Sequence, residues 1–325
     1  MAGVSIKTVS RVLNREPNVA DATRAKVDQA VKALNYRPNI SARSLAGSRS
    51  YLIGLLFDNP SPDYVINLQF GAMKKCKEEG YHLIIDALNS TSEDFDFEVK
   101  SMIADVRTDG YILTPPLSDD DRVLSVLESM SIPYVRIAPY RDAGRGPHVS
   151  MDDAGAAFEL TSLLLRLGHR DIGFVAGHPD HGATHLRYGG YSAALRSQGV
   201  PLLHKLVKQG DFTARSGIER AEELLADADR PTAIFASNDE MALGVHLVAN
   251  RLGMKVPQDL SICGFDDMPA AKLVWPQLTT VRQPIAEMSA AAVELLVKKQ
   301  TGDVGLLLDF ELVERGSTGP APTKA

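Results

Sequence analysis

Several polar side chains stand directly after apolar segments that have the pattern of buried strands. The segments at 51–57, 233–236 and 260–265 end just before Asp58, Asn238 and Asp266. Nearby loops and helix starts contribute Asn59, Tyr64, Arg187 and Phe212. Carboxylate, amide and guanidinium groups bond hydroxyls, and an aromatic face covers the C–H surface of a ring. Because parallel strands end at one edge of a sheet, these residues predict a site for a small polyhydroxy ligand. Each could instead cap a helix or pack a loop, above all Asn238, since asparagine is a good N-cap.

Other arrangements of reactive residues are weaker. His181 and His185 are four residues apart, with His178 nearby, but no paired cysteine or carboxylate cluster accompanies them. They are interpreted as histidines of a ligand loop or of the surface. The acidic run 119–121 is interpreted as a solvated helix start. No phosphate-binding glycine loop or nucleophile elbow occurs. We therefore predict no metal site, no cofactor, no catalytic residue and no enzymatic activity.

The elements that must position these side chains alternate along the chain. Apolar runs typical of buried strands recur at 51–57, 81–85, 110–113, 133–137, 171–176, 233–236 and 260–265, and amphipathic segments lie between them. Alternation over some 250 residues predicts an α/β fold with doubly wound parallel sheets. One sheet seldom needs so many units, so we expect two lobes with the ligand in the cleft between them.

Composition and charge separate the N-terminus from the rest. The 325 residues are 44% hydrophobic and 23% charged, which is ordinary for a globular protein. No apolar run could span a bilayer and no secretory signal is recognisable, so a cytoplasmic location without membrane contact is expected. The net charge is −6, yet residues 1–50 carry nine basic and three acidic residues, a balance of +6 against −12 for the remainder. A cationic end on an anionic body indicates either a DNA-contacting head or a solvated basic face.

The segment 3–14, GVSIKTVSRVLN, reads as a turn followed by a helix. Gly3 suits a tight turn, and Ser5 can cap a helix from Ile6 to about residue 13. Ile6, Lys7 and Arg11 would then form an exposed face able to enter the major groove, where lysine or arginine can pair with guanine.

The whole string closely resembles the recognition helix of the lactose-repressor/galactose-repressor family. Segments 36–39 and 42–45 resemble the hinge helix of that family. The resemblance continues through 237–242, 264–267 and 279–284, and so covers residues 2–316. It implies a two-lobed domain like a periplasmic binding protein, preceded by an all-α helix-turn-helix head. It also implies a homodimer that regulates transcription of carbohydrate-utilisation genes, most often as a repressor. Its partners would be operator DNA and a small sugar or sugar derivative.

The resemblance also implies roles for individual residues. DNA contacts fall on Ser5, Ile6, Lys7, Thr8, Ser10, Arg11, Asn14, Asn39, Ala42, Arg43 and Leu45. Leu45 holds the position of a leucine that wedges between base steps in the minor groove. Effector contacts fall on Arg187, Phe212, Asn238 and Asp266, and the match extends to Pro115 and Gln283.

The predicted domains are a partial helix-turn-helix head at 1–38, a hinge and linker at 39–50, a two-lobed effector and dimerisation domain at 51–316, and a disordered tail at 317–325. The head departs from the family pattern, because a complete helix should precede Gly3 and only two residues do. The start is therefore expected to be misplaced, or the chain truncated, and operator DNA is expected as a partner if the natural protein has that first helix. The alternative function is that of a transport-type sugar-binding protein without DNA binding, which shares the two-lobed fold.

Overall fold

The computed structural model describes residues 2–13, 18–34, 49–226 and 229–322. The chain divides into two compact units, Met1–Tyr51 and Leu52–Ala325. The division falls one residue from the predicted start of the effector domain.

The first unit contains two described helices, α1 (Ile6–Leu13) and α2 (Asp21–Ala33). The Ser5 hydroxyl accepts a hydrogen bond from the Thr8 backbone amide at 3.1 Å, so the predicted cap of α1 is confirmed. Val12 of α1 and Val27 of α2 are buried. Five predicted DNA-contacting residues lie outside the described residues: Asn14, Asn39, Ala42, Arg43 and Leu45.

The second unit is built on two parallel sheets, as predicted. The strands are β1 (Leu52–Phe57), β2 (His82–Ala87), β3 (Gly110–Leu113), β4 (Tyr134–Ile137), β5 (His148–Met151), β6 (Ile172–Ala176), β7 (Val207–Gln209), β8 (Ala233–Ala236), β9 (Ser261–Cys263), β10 (Thr280–Arg282), β11 (Gly305–Leu308) and β12 (Glu311–Val313). The six-stranded sheet of the N-lobe has the order β11-β5-β4-β3-β1-β2. The four-stranded sheet of the C-lobe has the order β7-β6-β8-β9, and β10 and β12 form an antiparallel pair.

Helices cover both faces of each sheet. They are α3 (Pro62–Glu79), α4 (Phe95–Asp105), α5 (Asp121–Ser129), α6 (Asp153–Arg166), α7 (Gly182–Ser197), α8 (Ala214–Leu225), α9 (Asp239–Arg251) and α10 (Ile285–Val297). In the N-lobe, α3 packs with α10 and α4 packs with α5. In the C-lobe, α6 packs with α7 over one face and α8 with α9 over the other. Because helices enclose both faces, the central strands are apolar without alternation.

The chain passes between the lobes three times, after β5, between β10 and α10, and between β11 and β12. The C-terminal part therefore returns to both sheets: β11 joins the N-lobe and β12 the C-lobe. The short strand β7, expected just before Phe212, is present, whereas β11, β12 and β5 were not predicted. In β5, His148 and Ser150 interrupt the continuous apolar run that identified other strands.

The predicted disorder of the tail is wrong for residues 317–322. Ser317 is fully buried, and its carbonyl accepts from the Ile262 amide at 2.9 Å while its hydroxyl donates to the Ile262 carbonyl at 2.6 Å. The Ala321 amide donates to the Leu167 carbonyl at 2.8 Å. The segment follows strand β9 because the backbone groups at that edge of the sheet need partners. The partners lie far away along the chain, so the sequence of the tail could not reveal this pairing.

Candidate functional site

A cavity between the lobes, of about 40 Å³, collects side chains from the ends of the strands. Eight of the nine predicted ligand residues line it: Asn59, Tyr64, Pro115, Arg187, Phe212, Asn238, Asp266 and Gln283. Residues up to 224 positions apart in sequence thus share one cavity, because parallel strands of both lobes end there.

Asp58 is the predicted ligand residue that the cavity does not include. Its carboxylate accepts from the backbone amide of Ser90 at 2.8 Å and from the Ser90 hydroxyl at 2.5 Å. Asp58 therefore ties the end of β1 to the loop after β2, which positions its neighbour Asn59 at the cavity.

Arg187, on α7, is the centre of a buried polar network. Its Nε donates to Asp153 at 2.8 Å and its Nη1 donates to the Ser237 carbonyl at 2.6 Å. Nη1 also lies 3.9 Å from the carboxylate of Asp266. The guanidinium stacks on the ring of Phe265, with its carbon 3.7 Å from the ring centroid. This packing fixes a side chain that would otherwise have many rotamers, so its charge is held in one place at the cavity wall.

Asp266 is buried and carries a perturbed carboxyl. Gln283 donates to it, and burial raises the pKa of Asp266 to about 7, against the opposing effect of Arg187. Burial also raises the pKa of Asp153, and raises that of Asp239 well above its usual range. Asp239 sits behind the wall, where its carboxyl accepts from the Thr280 hydroxyl at 2.7 Å and from the Met268 amide at 2.8 Å. Perturbed carboxyls in a cleft are typical of binding sites.

Asn238 fills both of the roles considered for it. Its carboxamide oxygen accepts from the Met241 amide at 3.0 Å and so caps α9. Its Nδ2 donates to the Phe212 carbonyl at 2.8 Å, and the side chain also lines the cavity. The amide has a second N–H, which is the group that can reach a ligand.

Aromatic and imidazole rings supply the apolar part of the wall. Phe212 and His181 meet edge to face, with centroids 5.3 Å apart. Burial lowers the pKa of His181 to about 4, so this imidazole is neutral near pH 7. Burial, reinforced by Asp153 and Asp266, raises the pKa of Tyr64, so its phenol stays protonated and can donate.

Three lining residues other than glycine have positive φ angles: Ala138 at 44°, Phe212 at 70° and Asp266 at 121°. Side chains with a Cβ rarely adopt this region, at a cost of order 1–3 kcal/mol each. Such strain persists where surrounding contacts enforce it and is concentrated at ligand sites.

Sequence reasoning missed five lining residues: Ser61, Ala138, Asp153, His181 and Ala183. Sequence alone interprets His181 as a histidine of a ligand loop or of the surface and does not decide between them. Asp153 is the most important omission, because it pairs directly with Arg187. It is the second residue after strand β5, so it satisfies the strand-end rule used for the other residues. It was overlooked because β5 was not predicted.

Direct contacts join the two lobes beside the cavity. Ser61 of the N-lobe donates to Glu240 of the C-lobe at 2.7 Å. Tyr140 of the N-lobe stacks on His185 of the C-lobe, with ring centroids 5.3 Å apart and planes at 25°. The two lobes are therefore in direct contact beside the cavity, and one of the contacting residues, Ser61, also lines it.

In the first unit, α1 presents the predicted polar face to solvent. Ile6 is 90% exposed, and Ser5, Lys7, Ser10 and Arg11 are also exposed. Thr8 is half-buried, and its hydroxyl shares a 2.9 Å hydrogen bond with the Ser5 hydroxyl. The predicted DNA-contacting residues on and just before α1 are therefore accessible, except that Thr8 is half-buried.

No described group of three or more histidine, cysteine, aspartate or glutamate side chains could hold a metal ion. Among the described helices, none is both long and apolar enough to cross a membrane.

Residues 1–39 match the lacI family of bacterial regulatory proteins, and residues 161–318 match the periplasmic binding protein-like domain. Catabolite control protein A of Priestia megaterium is 35% identical over 310 residues, which are 94% of this chain and 93% of that protein. The HTH-type transcriptional regulator DegA of Bacillus subtilis is 35% identical over 99% of this chain and 97% of its own length.

Solved structures agree with this assignment. The lac repressor dimer bound to operator and an anti-inducer superposes with a TM-score of 0.80 at 27% identity, over 98% of this chain and 96% of that chain. The complex of the transcriptional regulator CelR with cellobiose has a TM-score of 0.76 at 30% identity, over 97% of both chains. The named relatives are transcriptional regulators rather than enzymes. The chain therefore belongs to the lacI family of bacterial regulatory proteins, with a helix-turn-helix segment joined to a periplasmic-binding-protein-like domain.

Proposed function

We propose that this chain binds operator DNA through its first unit and a small sugar or sugar derivative between the lobes of its second. The observation that carries the proposal is the convergence of residues from both lobes on one polar cavity, in a chain that also has a lacI-family DNA-binding segment. Occupancy of the cavity would bias the lobe arrangement and so regulate transcription. The proposed setting is the cytoplasm, with no enzymatic step.

The proposed effector contacts divide by chemistry. Asp153, Asp266 and the second N–H of Asn238 bond hydroxyl groups, with Arg187 as the central donor. Phe212 presents an aromatic surface to the C–H face of a ring. The remaining proposed contacts are Asn59, Tyr64, Pro115 and Gln283.

The proposed DNA contacts on α1 also divide by role. Lys7 and Arg11 would read base edges, Ile6 would add an apolar contact, and Ser5, Thr8 and Ser10 would bond backbone phosphates. Leu45, Ala42, Arg43, Asn14 and Asn39 keep the roles implied by the family resemblance.

Lys7→Ala should weaken binding to the specific operator by roughly 1–3 kcal/mol and relax its sequence preference, because a base contact is lost. Gel-shift titration of the chain with the DNA upstream of its own gene, in the presence of competitor DNA, measures both effects. Lys32→Ala is the matched control, since Lys32 is an exposed lysine of the same unit but lies on α2. It should leave the sequence preference unchanged. Equal retardation of upstream and unrelated DNA by the parent chain would instead favour a sugar-binding protein without an operator.

We further propose that the chain forms a homodimer through an apolar face of the N-lobe. Helix α3 exposes Ile66, Phe70 and Met73 at helical spacing, and the edge strand β2 beside it exposes Ile85. A contiguous exposed apolar face of this kind is typical of an interface. A family of two-fold DNA readers needs two heads, which a dimer supplies.

Phe70→Glu should convert the dimer to a monomer at micromolar concentration, because it places a charge at the centre of this face. Sedimentation velocity gives the mass directly. Phe97→Glu is the control: Phe97 is more exposed than Phe70 (73% against 59%) but lies on α4, outside this face. A Phe70→Glu chain that stays dimeric would place the interface elsewhere.

A further inference from the structure

The cavity contains more acidic than basic side chains. Asp153 and Asp266 line it, and Asp239 lies just behind its wall. Among the described residues that line it, Arg187 is the one with a permanent positive charge. His181 is neutral near pH 7 because burial lowers its pKa to about 4. Glu240, bonded to Ser61 at the edge of the cleft, is a further acid nearby.

The positive charge of Arg187 is already shared. Its Nε bonds Asp153 at 2.8 Å, its Nη1 lies 3.9 Å from Asp266, and its flat face covers the Phe265 ring. A ligand anion placed against Arg187 would also lie close to two carboxyl groups in a buried site. Like charges in such a site repel strongly because little water screens them.

The titration behaviour of the site agrees with this excess of acids. Burial raises the pKa of Asp153 and of Asp266, and the negative charge of Asp266 helps to raise the pKa of Asp239. Asp153 and Asp266 also contribute to the raised pKa of Tyr64. Burial is the largest cause of each raised carboxyl pKa, and the positive charge of Arg187 opposes it at Asp153 and Asp266 without cancelling it.

We propose that the effector carries no negative charge, so that an uncharged sugar or polyol binds while sugar acids and sugar phosphates are excluded. This inference rests on the proposed effector function and narrows its ligand class. Uncharged hydroxyls can donate to the carboxyls and accept from Arg187 and Tyr64 at once, whereas a ligand carboxylate or phosphate only accepts. A ligand group that can only accept hydrogen bonds cannot bond the carboxylates of Asp153 and Asp266.

Matched ligands test the proposal. Thermal shift and titration calorimetry at pH 7.5 would compare glucose, galactose and mannose with glucuronate, galacturonate and the three hexose 6-phosphates. At least one neutral hexose should bind, and its charged counterparts should bind roughly 100-fold more weakly. Asp266→Asn should reduce the ratio of the affinity for the neutral hexose to that for its charged counterpart, because it removes one of the repelling charges. A uronate or phosphate that binds as tightly as its neutral counterpart overturns the inference. Binding by no member of the panel would exclude these hexoses and their acidic derivatives as effectors, and the ligand-free measurement would then decide the inference.

A second measurement tests the excess of acids without any ligand. A carboxyl whose pKa is raised on folding contributes most to stability at low pH, and the contribution falls as the pH rises through the raised pKa. Asp266→Asn removes this fall in stability at high pH, because the amide does not ionise. It also keeps the positive φ, which asparagine tolerates. The melting temperature of the variant minus that of the parent should therefore be several degrees higher at pH 8 than at pH 5. An equal difference at both pH values would show that no uncompensated carboxyl is present and would overturn the inference.

The adjacent residue provides the control. Asp267 pairs with Arg315, with Arg282 at 2.8 Å and with Lys272 at 3.4 Å, and its hydrogen bonds to Arg315 and Arg282 lower its pKa against the effect of burial. Its stabilisation is complete above the ordinary aspartate pKa and is lost only in more acidic solution. Asp267→Asn should therefore lower the melting temperature by the same amount at pH 5 and pH 8, in contrast to Asp266→Asn.

Discussion

Arg187→Ala is expected to destabilise the chain by roughly 3–5 kcal/mol and to abolish the stabilisation by any sugar effector. The stability loss follows because Asp153 and Asp266 would remain buried without their cation, and breaking one side of a buried ion pair is costly. The effector response is lost because the central donor of the cavity is gone. In the parent, a ligand at 100 times its Kd stabilises the folded chain by about 2.7 kcal/mol. Denaturant unfolding with and without ligand measures both quantities.

Two variants separate the local network from a general effect of losing an arginine. Arg251→Ala removes an arginine that pairs with Glu222 on the surface, and should cost at most about 1 kcal/mol. In the double variant Arg187→Met/Asp153→Asn, both members of the pair become neutral, so part of the lost stability should return. If Arg187→Ala were no more harmful than Arg251→Ala, the buried network described for the cavity would be incorrect.

Gly190→Ala is expected to destabilise the chain by about 1–3 kcal/mol and to weaken effector binding. Gly190 lies where α7 crosses α6, and a Cβ there would overlap the Ala154 carbonyl and lie 2.9 Å from the Ala157 Cβ. These neighbours are backbone and a short side chain, so α7 itself must move away. The same helix carries Arg187 one turn earlier, so the displacement would reach the cavity.

Gly189→Ala is the matched control, since the two glycines are adjacent in α7. Nothing lies within 4 Å of a Cβ at Gly189, which is exposed. Alanine loses less backbone entropy than glycine in a helix, so this change should stabilise the chain by roughly 0.5–1 kcal/mol. Thermal unfolding and ligand titration of both variants give the comparison. Similar effects of the two substitutions would argue against the close α6–α7 contact.

Local pattern determined much of the architecture in advance. Continuous apolar runs identified the longer strands, and the rule that ligands bind beyond strand ends identified Asn59, Asn238 and Asp266 at the cavity. Patterns of this kind are local properties of the chain, so they can be read without knowing which elements are neighbours. The position of Ser5 at the start of α1 is another local property that sequence predicted correctly.

Tertiary structure alone decided how those residues pair. Asp58 and Asn59 both follow β1, yet the side chain of Asp58 bonds Ser90 while Asn59 lines the cavity. Asp153 became visible as the partner of Arg187 only when the short strand β5 was in place, and residues 317–322 became ordered by pairing with distant backbone. The excess of acids around Arg187 also depends on these contacts. Sequence determines which groups a segment offers, whereas burial, charge pairing and hydrogen-bond partners depend on residues that are far apart along the chain, and only the folded structure brings those together.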